Sequence, residues 1–228
     1  MRLLHFDDSR LVLTDFTGKT LPPYAILSHR WSSNDSEVFF EDLVHNNYES
    51  KTGYRKIEFC AKQVARDDLK YFWIDTCCID KWNRHERSKA VNSMFRWYQS
   101  AAKCYVFMAD VSVSTTNNAR QESKQKASLR ALKRVFRKFP PGMFGSHRTN
   151  ILQPNAWEAS FRGSEWFTRG WTLQELIAPA SVEFFSSEGQ RLGDKESLKQ
   201  LIHEITSIPI AALQAYSLPD FTPSDRVA

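Results

Sequence analysis

The sequence lacks any long apolar segment. No stretch of its 228 residues approaches the ~18 uncharged apolar residues that a membrane helix needs. Its first eight residues end in two aspartates and are not typical of a signal peptide. We therefore expect a cytoplasmic protein.

Cysteine is scarce, and its spacing excludes two kinds of site. Disulfide frameworks and zinc sites need cysteines in characteristic pairs, but no C-x-x-C occurs among Cys60, Cys77, Cys78 and Cys104. The six histidines show no H-E-x-x-H spacing either. We expect reduced, mostly buried thiols and no metal centre.

The glycine motifs that hold phosphates or nucleophiles are also absent. Gly18-Lys19-Thr20 resembles the end of a P-loop, but Leu13 stands where that loop requires glycine. No G-x-G-x-x-G follows a strand, and no G-x-S-x-G occurs. These absences argue against a P-loop NTPase, a conventional dehydrogenase and a triad hydrolase, and we predict no resident cofactor.

Positive charge is concentrated between residues 120 and 148. This segment contains nine lysines and arginines and one acid, so its net charge is +8. The whole chain has a net charge of +5, so the rest of the chain has a net charge of −3. Apolar residues at helical spacing from Leu129 to Phe139 predict an amphipathic basic helix. A solvated face is the favoured interpretation, and binding of nucleic acid or anionic lipid is the alternative.

Short apolar runs alternate with helical patterns along the chain. Strands are predicted at 24–28, 71–74, 104–109 and 182–185, after a hairpin formed by 2–6 and 10–16. Helices are predicted at 54–64, 90–102, 171–177 and 198–205, the last after a cap at Asp194. This alternation predicts a doubly wound α/β fold with a mainly parallel sheet, which binds ligands beyond the carboxyl ends of its strands.

One carboxylate stands out on the predicted helix 171–177. Glu175 lies between Leu173 and Leu176, and apolar neighbours limit the hydration of a carboxyl and raise its pKa. The alternative is a solvent-facing glutamate, with Arg162 or Arg169 as an ion-pair partner. Polar residues that follow the predicted strands, Ser28, His29, Arg30, Asp75, Asp80 and Asp110, are further candidates for the same region.

Three blocks of sequence resemble a known family. The blocks are Tyr24-Ala-Ile-Leu-Ser-His-Arg-Trp31, Tyr71-Phe-Trp-Ile-Asp-Thr-Cys-Cys-Ile-Asp80 and Trp166-Phe-Thr-Arg-Gly-Trp-Thr-Leu-Gln-Glu-Leu-Ile-Ala-Pro179. In this order they resemble the fungal heterokaryon incompatibility (HET) domain. The resemblance implies an effector of regulated cell death in fungi, often placed before NTPase and repeat domains that sense the trigger. We expect this domain at 1–210, with an insertion at about 112–165, and a linker or tail at 211–228.

A fainter resemblance concerns mechanism. Trp171-x-x-x-Glu175-Leu176 is similar to the W-C-x-x-E-L motif of TIR domains, although Thr172 replaces the cysteine and a far longer segment precedes the helix. The resemblance implies a flavodoxin-like sheet, NAD as the substrate and Glu175 as the catalytic residue. It also implies activation by self-association, in which loops of one copy complete the pocket of another.

Roles for the remaining candidates follow from this resemblance. Arg30 and His29 are expected to face the pyrophosphate, Trp31 or Trp171 to stack on a ring, and Asp75 and Asp80 to accept hydrogen bonds, with Ser28 beside them. Each residue also has a structural alternative, as a cap, a core aromatic or an ion-pair partner. For the whole domain, the alternative function is a non-enzymatic adaptor that signals death by homotypic association.

Overall fold

A seven-stranded mixed sheet forms the centre of the part of the chain that the structure describes. The structure is a computed structural model, and it describes residues 1–8, 10–113 and 157–214. The strands are β1 Arg2–Asp7, β2 Arg10–Asp15, β3 Tyr24–His29, β4 Tyr71–Trp73, β5 Lys103–Phe107, β6 Val182–Phe185 and β7 Arg191–Asp194.

The order of the strands is β2-β1-β4-β3-β5-β6-β7. The four central strands run parallel, whereas β1 pairs antiparallel with β2 and β4, and β7 pairs antiparallel with β6. The chain adds β4 on one side of β3 and then β5 on the other, so the strand order switches between β3 and β5. Ligands bind near such a switch point in open α/β sheets.

Helices pack on both faces of the sheet. They are α1 Phe40–Val44, α2 Tyr54–Arg66, α3 Asp75–Cys78, α4 Arg84–Ser100, α5 Glu158–Arg162, α6 Thr172–Ile177, α7 Lys199–Thr206 and α8 Ile210–Gln214, with a 3₁₀ helix at Glu165–Thr168. On one face, the ring of Phe59 in α2 packs against Phe107 and Phe185. On the other, Tyr98 of α4 packs against Trp73. The predicted α/β class is confirmed.

Strand β7 was not predicted, and it changes the role of Asp194. We expected Asp194 to cap the last helix, but it ends β7, and α7 begins only at Lys199. Its Oδ1 accepts a hydrogen bond from the backbone N of Ser197 at 2.8 Å, which closes the turn between the two elements. The sequence Arg191-Leu-Gly-Asp gives no strand signal because glycine and aspartate are rare in strands.

Short helices occur at the predicted end of the domain and within the predicted insertion. The expected boundary at 210/211 falls within α8, whose Leu213 belongs to the buried core. Helix α5 lies within the range expected for the insertion. The basic helix expected within 120–148 lies outside the described residues.

The four cysteines are reduced and buried, as predicted. Burial raises the pKa of the Cys77 and Cys104 thiols well above the ordinary value, which leaves them protonated and unreactive. Among the helices that the structure describes, none has the length and apolar character required to cross a bilayer. No group of three metal-ligating side chains occurs within the same described ranges.

Candidate active site

Glu175 lies in the short helix α6, which is tied to the 3₁₀ helix and to strand β5. The hydroxyl of Thr172 donates to the backbone O of Trp166 at 2.7 Å and ties the start of α6 to the 3₁₀ helix. The Cys104 thiol of β5 donates to the backbone O of Glu175 at 3.7 Å. These contacts hold the Glu175 side chain against the carboxyl end of the sheet, where it is 5% exposed.

A chain of two hydrogen bonds orients the Glu175 carboxyl. The indole Nε1 of Trp166 donates to the Ser28 hydroxyl at 2.8 Å, and that hydroxyl donates to Glu175 Oε2 at 2.5 Å. A serine hydroxyl has one proton to donate, so accepting from Trp166 leaves that proton for Glu175. All three side chains are buried. The carboxyl therefore has a fixed orientation.

The surroundings of Glu175 raise its pKa. Burial is the main cause, the Ser28 hydrogen bond opposes it and the Asp75 carboxylate adds to it, and the resulting pKa is about 7. The carboxyl thus changes between its neutral and ionised forms near neutral pH. The perturbed pKa predicted from the apolar neighbours is confirmed.

Glu175 opens onto a cavity of about 160 Å³. The cavity lies beyond the carboxyl ends of β3 and β4, and its walls come from the segment after each strand, from one face of α4 and from the start of α6. The polar and aromatic side chains that line it include the carboxyls of Asp75 and Glu175, the cations Lys81, Arg87 and Arg169, and the indoles of Trp31 and Trp171.

Asp75 and Trp31 form a braced wall of this cavity. The Trp31 indole Nε1 donates to Asp75 Oδ2 at 2.7 Å, and the backbone N of Thr76 donates to Asp75 Oδ1 at 2.8 Å. The Trp31 ring also meets Phe39 edge-on, with ring centroids 6.5 Å apart. Trp31 remains 49% exposed, so part of its side chain is accessible to a ligand.

The segment that builds this cavity matches a known family. The family model described as "Heterokaryon incompatibility protein (HET)" matches residues 24–175, a range that begins at β3 and ends at Glu175. The chain belongs to the HET family. All of the described cavity residues lie within the matched range.

A relative extends this match to the whole chain. The HET chain is 45% identical over 230 residues to Vegetative incompatibility protein HET-E-1 of Podospora anserina, and the alignment covers 100% of this chain but 14% of the relative. The chain therefore spans about a seventh of the length of this curated relative. No solved structure matches this chain.

A buried ion pair stabilises the segments that line the HET cavity. Glu37, 0% exposed, forms an ion pair with Lys56 of α2 and accepts hydrogen bonds from the backbone N of Ser32 at 2.9 Å and from the Thr76 hydroxyl at 3.2 Å. Burial raises the pKa of Glu37, but His29 and Lys56 outweigh this and lower it to about 2. Glu37 thus joins the loop that carries Trp31 to the helix that carries Asp75.

Sequence reasoning missed Glu37, Lys56 and Trp166. Charged residues in a polar loop or on a helix are mostly exposed, so nothing local marks Glu37 and Lys56 as buried. Trp166 lies within the third HET block, which was the available signal. Its contact with Ser28 joins residues 138 positions apart, and the spacing of a motif cannot reveal such a contact.

Ser28 and His29 differ from their expected role as substrate contacts. Side chains alternate along a strand, so Ser28 points to the face that holds α6, whereas His29 points to the face that holds α2. Ser28 is fully buried, and it orients Glu175. Burial lowers the pKa of His29, whose Nε2 lies 3.7 Å from Glu37 Oε1, and His29 does not line the described cavity.

Arg30 and Asp80 also take other positions. Arg30 pairs with Glu165 at 2.5 Å and does not line the described cavity. Asp80 Oδ1 accepts hydrogen bonds from the backbone N atoms of Trp82 and Asn83, so it fixes the turn before α4, as its structural alternative proposed. Trp31, Asp75, Trp171 and Glu175 are the predicted residues that the structure brings together.

The arginines named as possible partners of Glu175 have other contacts. Arg162 pairs with Glu158 and Glu204 on the surface. Arg169 lines the cavity, and its guanidinium donates to the backbone O of His29, a contact that anchors the end of β3. Asp110, a further polar candidate, accepts hydrogen bonds from Ser164 and from the backbone N of Glu165.

The raised pKa of Glu175 predicts a pH-dependent effect of Glu175→Gln on stability. The pKa in the folded chain, about 7, lies above the ordinary 4.5, so folding is favoured while the carboxyl is protonated and this contribution is lost as pH rises through 7. The difference corresponds to about 3 kcal/mol. Relative to the wild type, the variant should gain about that much free energy of unfolding between about pH 5 and pH 9, as measured by urea unfolding. An equal effect at both pH values would contradict the assigned burial.

Proposed function

We propose that this HET chain is a cytoplasmic effector domain that acts in fungal incompatibility and hydrolyses NAD to nicotinamide and ADP-ribose. The observation that carries the proposal is the Glu175 carboxyl, which is fixed by Ser28, has a pKa of about 7 and opens onto a cavity beside Asp75. The name of the relative, a vegetative incompatibility protein, supports the biological role. The four parallel strands and the Trp171-x-x-x-Glu175-Leu176 helix support a TIR-like ancestry.

The chemistry suits a site with one buried carboxylate. The bond between C1′ of the ribose and the pyridinium nitrogen breaks, and its electron pair leaves with neutral nicotinamide, so the leaving group needs no proton. Positive charge develops on the ribose, and the Glu175 carboxylate stabilises it in a site partly shielded from water. Water then adds to C1′ and releases one proton, which completes ADP-ribose.

The walls of the cavity provide contacts for the ribose hydroxyls and the nicotinamide ring of NAD. Asp75 is oriented by Trp31 and by the start of α3, and it retains lone pairs for a ribose hydroxyl. The exposed indoles of Trp31 and Trp171 offer faces on which a nicotinamide ring can stack. An offset stack of this kind contributes about 1 kcal/mol beyond the buried area.

Self-association is part of the proposal. The cavity, at about 160 Å³, is smaller than the roughly 300–1,000 Å³ typical of pockets that enclose a whole ligand. We propose that a second copy covers the open side of the cavity. The relative is far longer than this chain, which supports further domains, such as a C-terminal NTPase and sensor repeats, that bring effector domains together.

The direct test is to fuse the chain to an inducible dimeriser, add NAD and quantify nicotinamide and ADP-ribose by chromatography. We expect equimolar products that increase with clustering. If clustered protein releases no nicotinamide, the enzymatic proposal is wrong. If the protein also remains lethal in fungal cells while NAD levels stay unchanged, the non-enzymatic adaptor becomes the better explanation.

The pH profile of nicotinamide release provides a separate prediction. Only the ionised form of Glu175 stabilises the ribosyl cation, and its pKa is about 7. We therefore expect kcat to rise about tenfold from pH 6 to pH 8 and then to level off. A rate that is constant across this interval would show that the ionisation of Glu175 does not control the reaction.

A further inference from the structure

Two of the three cations that line the cavity form neither a side-chain hydrogen bond nor an ion pair within the described ranges. Arg169 is engaged by the backbone O of His29. In contrast, neither Lys81 nor Arg87 pairs with a carboxylate within the described ranges. The Lys81 ammonium lies 3.3 Å from the centre of the Phe39 ring, which positions it at the wall beside Trp31. Arg87, in the first turns of α4, is exposed at the mouth of the cavity.

Helix α4 places Arg87 at a distance from the Glu175 carboxyl. Arg87, Ala90, Val91 and Met94 line the cavity and follow helical spacing, so they form one stripe about 10 Å long. Tyr98 continues this stripe by one turn, and its hydroxyl donates to the backbone O of Leu27 at 3.4 Å, next to Ser28 and therefore close to Glu175. Glu175 thus lies near the carboxyl-terminal half of α4, and Arg87 lies near the start of that helix.

We propose that Lys81 and Arg87 form a subsite for the phosphates of a nucleotide whose ribose lies at Glu175. The inference rests on the proposed function and assigns an orientation to the bound dinucleotide. The pyridinium end of a dinucleotide faces the carboxyls, and its pyrophosphate faces the two cations. Arginine binds phosphate through two parallel hydrogen bonds and lysine acts as a point charge, so the pair suits a flexible pyrophosphate. Arg30 cannot serve in the same way while it pairs with Glu165.

The test measures the binding of ADP-ribose by isothermal titration calorimetry. Lys81→Met keeps the aliphatic stem over Phe39 and removes the charge, and Arg87→Gln removes the second cation. Each variant should weaken binding about tenfold and the double variant more. Lys89→Gln is the matched control because Lys89 is an exposed cation of the same helix that does not line the described cavity. Its dissociation constant should stay within about twofold of the wild type.

Three results would overturn the subsite. They are a double variant that binds as tightly as the wild type, an equal loss in Lys89→Gln, and a wild-type chain that does not bind ADP-ribose at millimolar concentration.

A kinetic experiment separates the subsite from the reaction by comparing NAD with nicotinamide riboside, which has no phosphate. In the double variant, kcat/KM should fall for NAD alone. Equal losses for both substrates reject the subsite and leave the hydrolase intact, whereas cation-dependent binding without nicotinamide release rejects the hydrolase and leaves the subsite intact.

Discussion

Replacing Glu175 with glutamine is expected to reduce nicotinamide release from NAD at least about a hundredfold. Glutamine has the size of glutamate and can still accept the hydrogen bond from Ser28, but it carries no charge to stabilise the ribosyl cation. The loss should appear mainly in kcat, because positive charge develops on the ribose only in the transition state. The measurement is the initial rate of nicotinamide formation by the clustered chain.

The matched control for this variant is Glu204→Gln. Glu204 pairs with Arg162 on the surface and does not line the described cavity, so the same chemical change there should leave the rate within about twofold. Both variants must retain the wild-type unfolding transition. If Glu175→Gln keeps the wild-type kcat, Glu175 is not the catalytic residue, whatever the fate of the overall activity.

The second large effect concerns stability. Lys56→Met should lower the free energy of unfolding by about 3–5 kcal/mol, because it leaves the fully buried Glu37 carboxylate without its cation. Glu37 also holds Ser32 and Thr76, so the loss should loosen the loop that carries Trp31. Urea unfolding followed by circular dichroism measures the change.

A double variant separates charge from packing in this group. Lys56→Met combined with Glu37→Gln should recover much of the loss, since no buried charge remains and the amide can still accept from Ser32. Lys62→Met, at an exposed position of the same helix, should change stability by less than about 0.5 kcal/mol. If the single and double variants are equally unstable, the stability of this region does not depend on the ion pair.

The sheet was predictable because its central strands are mostly apolar. Every residue of β3 is buried, so a continuous apolar run identified that strand without a periodic pattern. Helices α1 and α3 were not predicted because four or five residues span too few turns to show a helical period. Strand β7 was missed for a related reason, since it is short and contains Gly193.

The site was predictable in its chemistry more than in its contacts. The apolar neighbours of Glu175 correctly indicated a raised pKa, and the segments after β3 and β4 supplied Trp31 and Asp75. The hydrogen-bond partners of Glu175 could not be predicted from the sequence in the same way. Ser28 and Glu175 lie 147 positions apart, and their contact depends on how α6 packs on the sheet. The same limit explains why the sequence indicated Arg30 and not Arg87, which lines the cavity.

The two walls of the cavity come from distant parts of the polypeptide. One wall uses residues between Trp31 and Met94, and the other uses Arg169, Trp171 and Glu175. A ribosome must therefore complete almost four-fifths of the chain before the acid meets the opposite wall. For the lethal activity proposed above, a product that ends before Arg169 lacks one wall of the cavity and should be inactive.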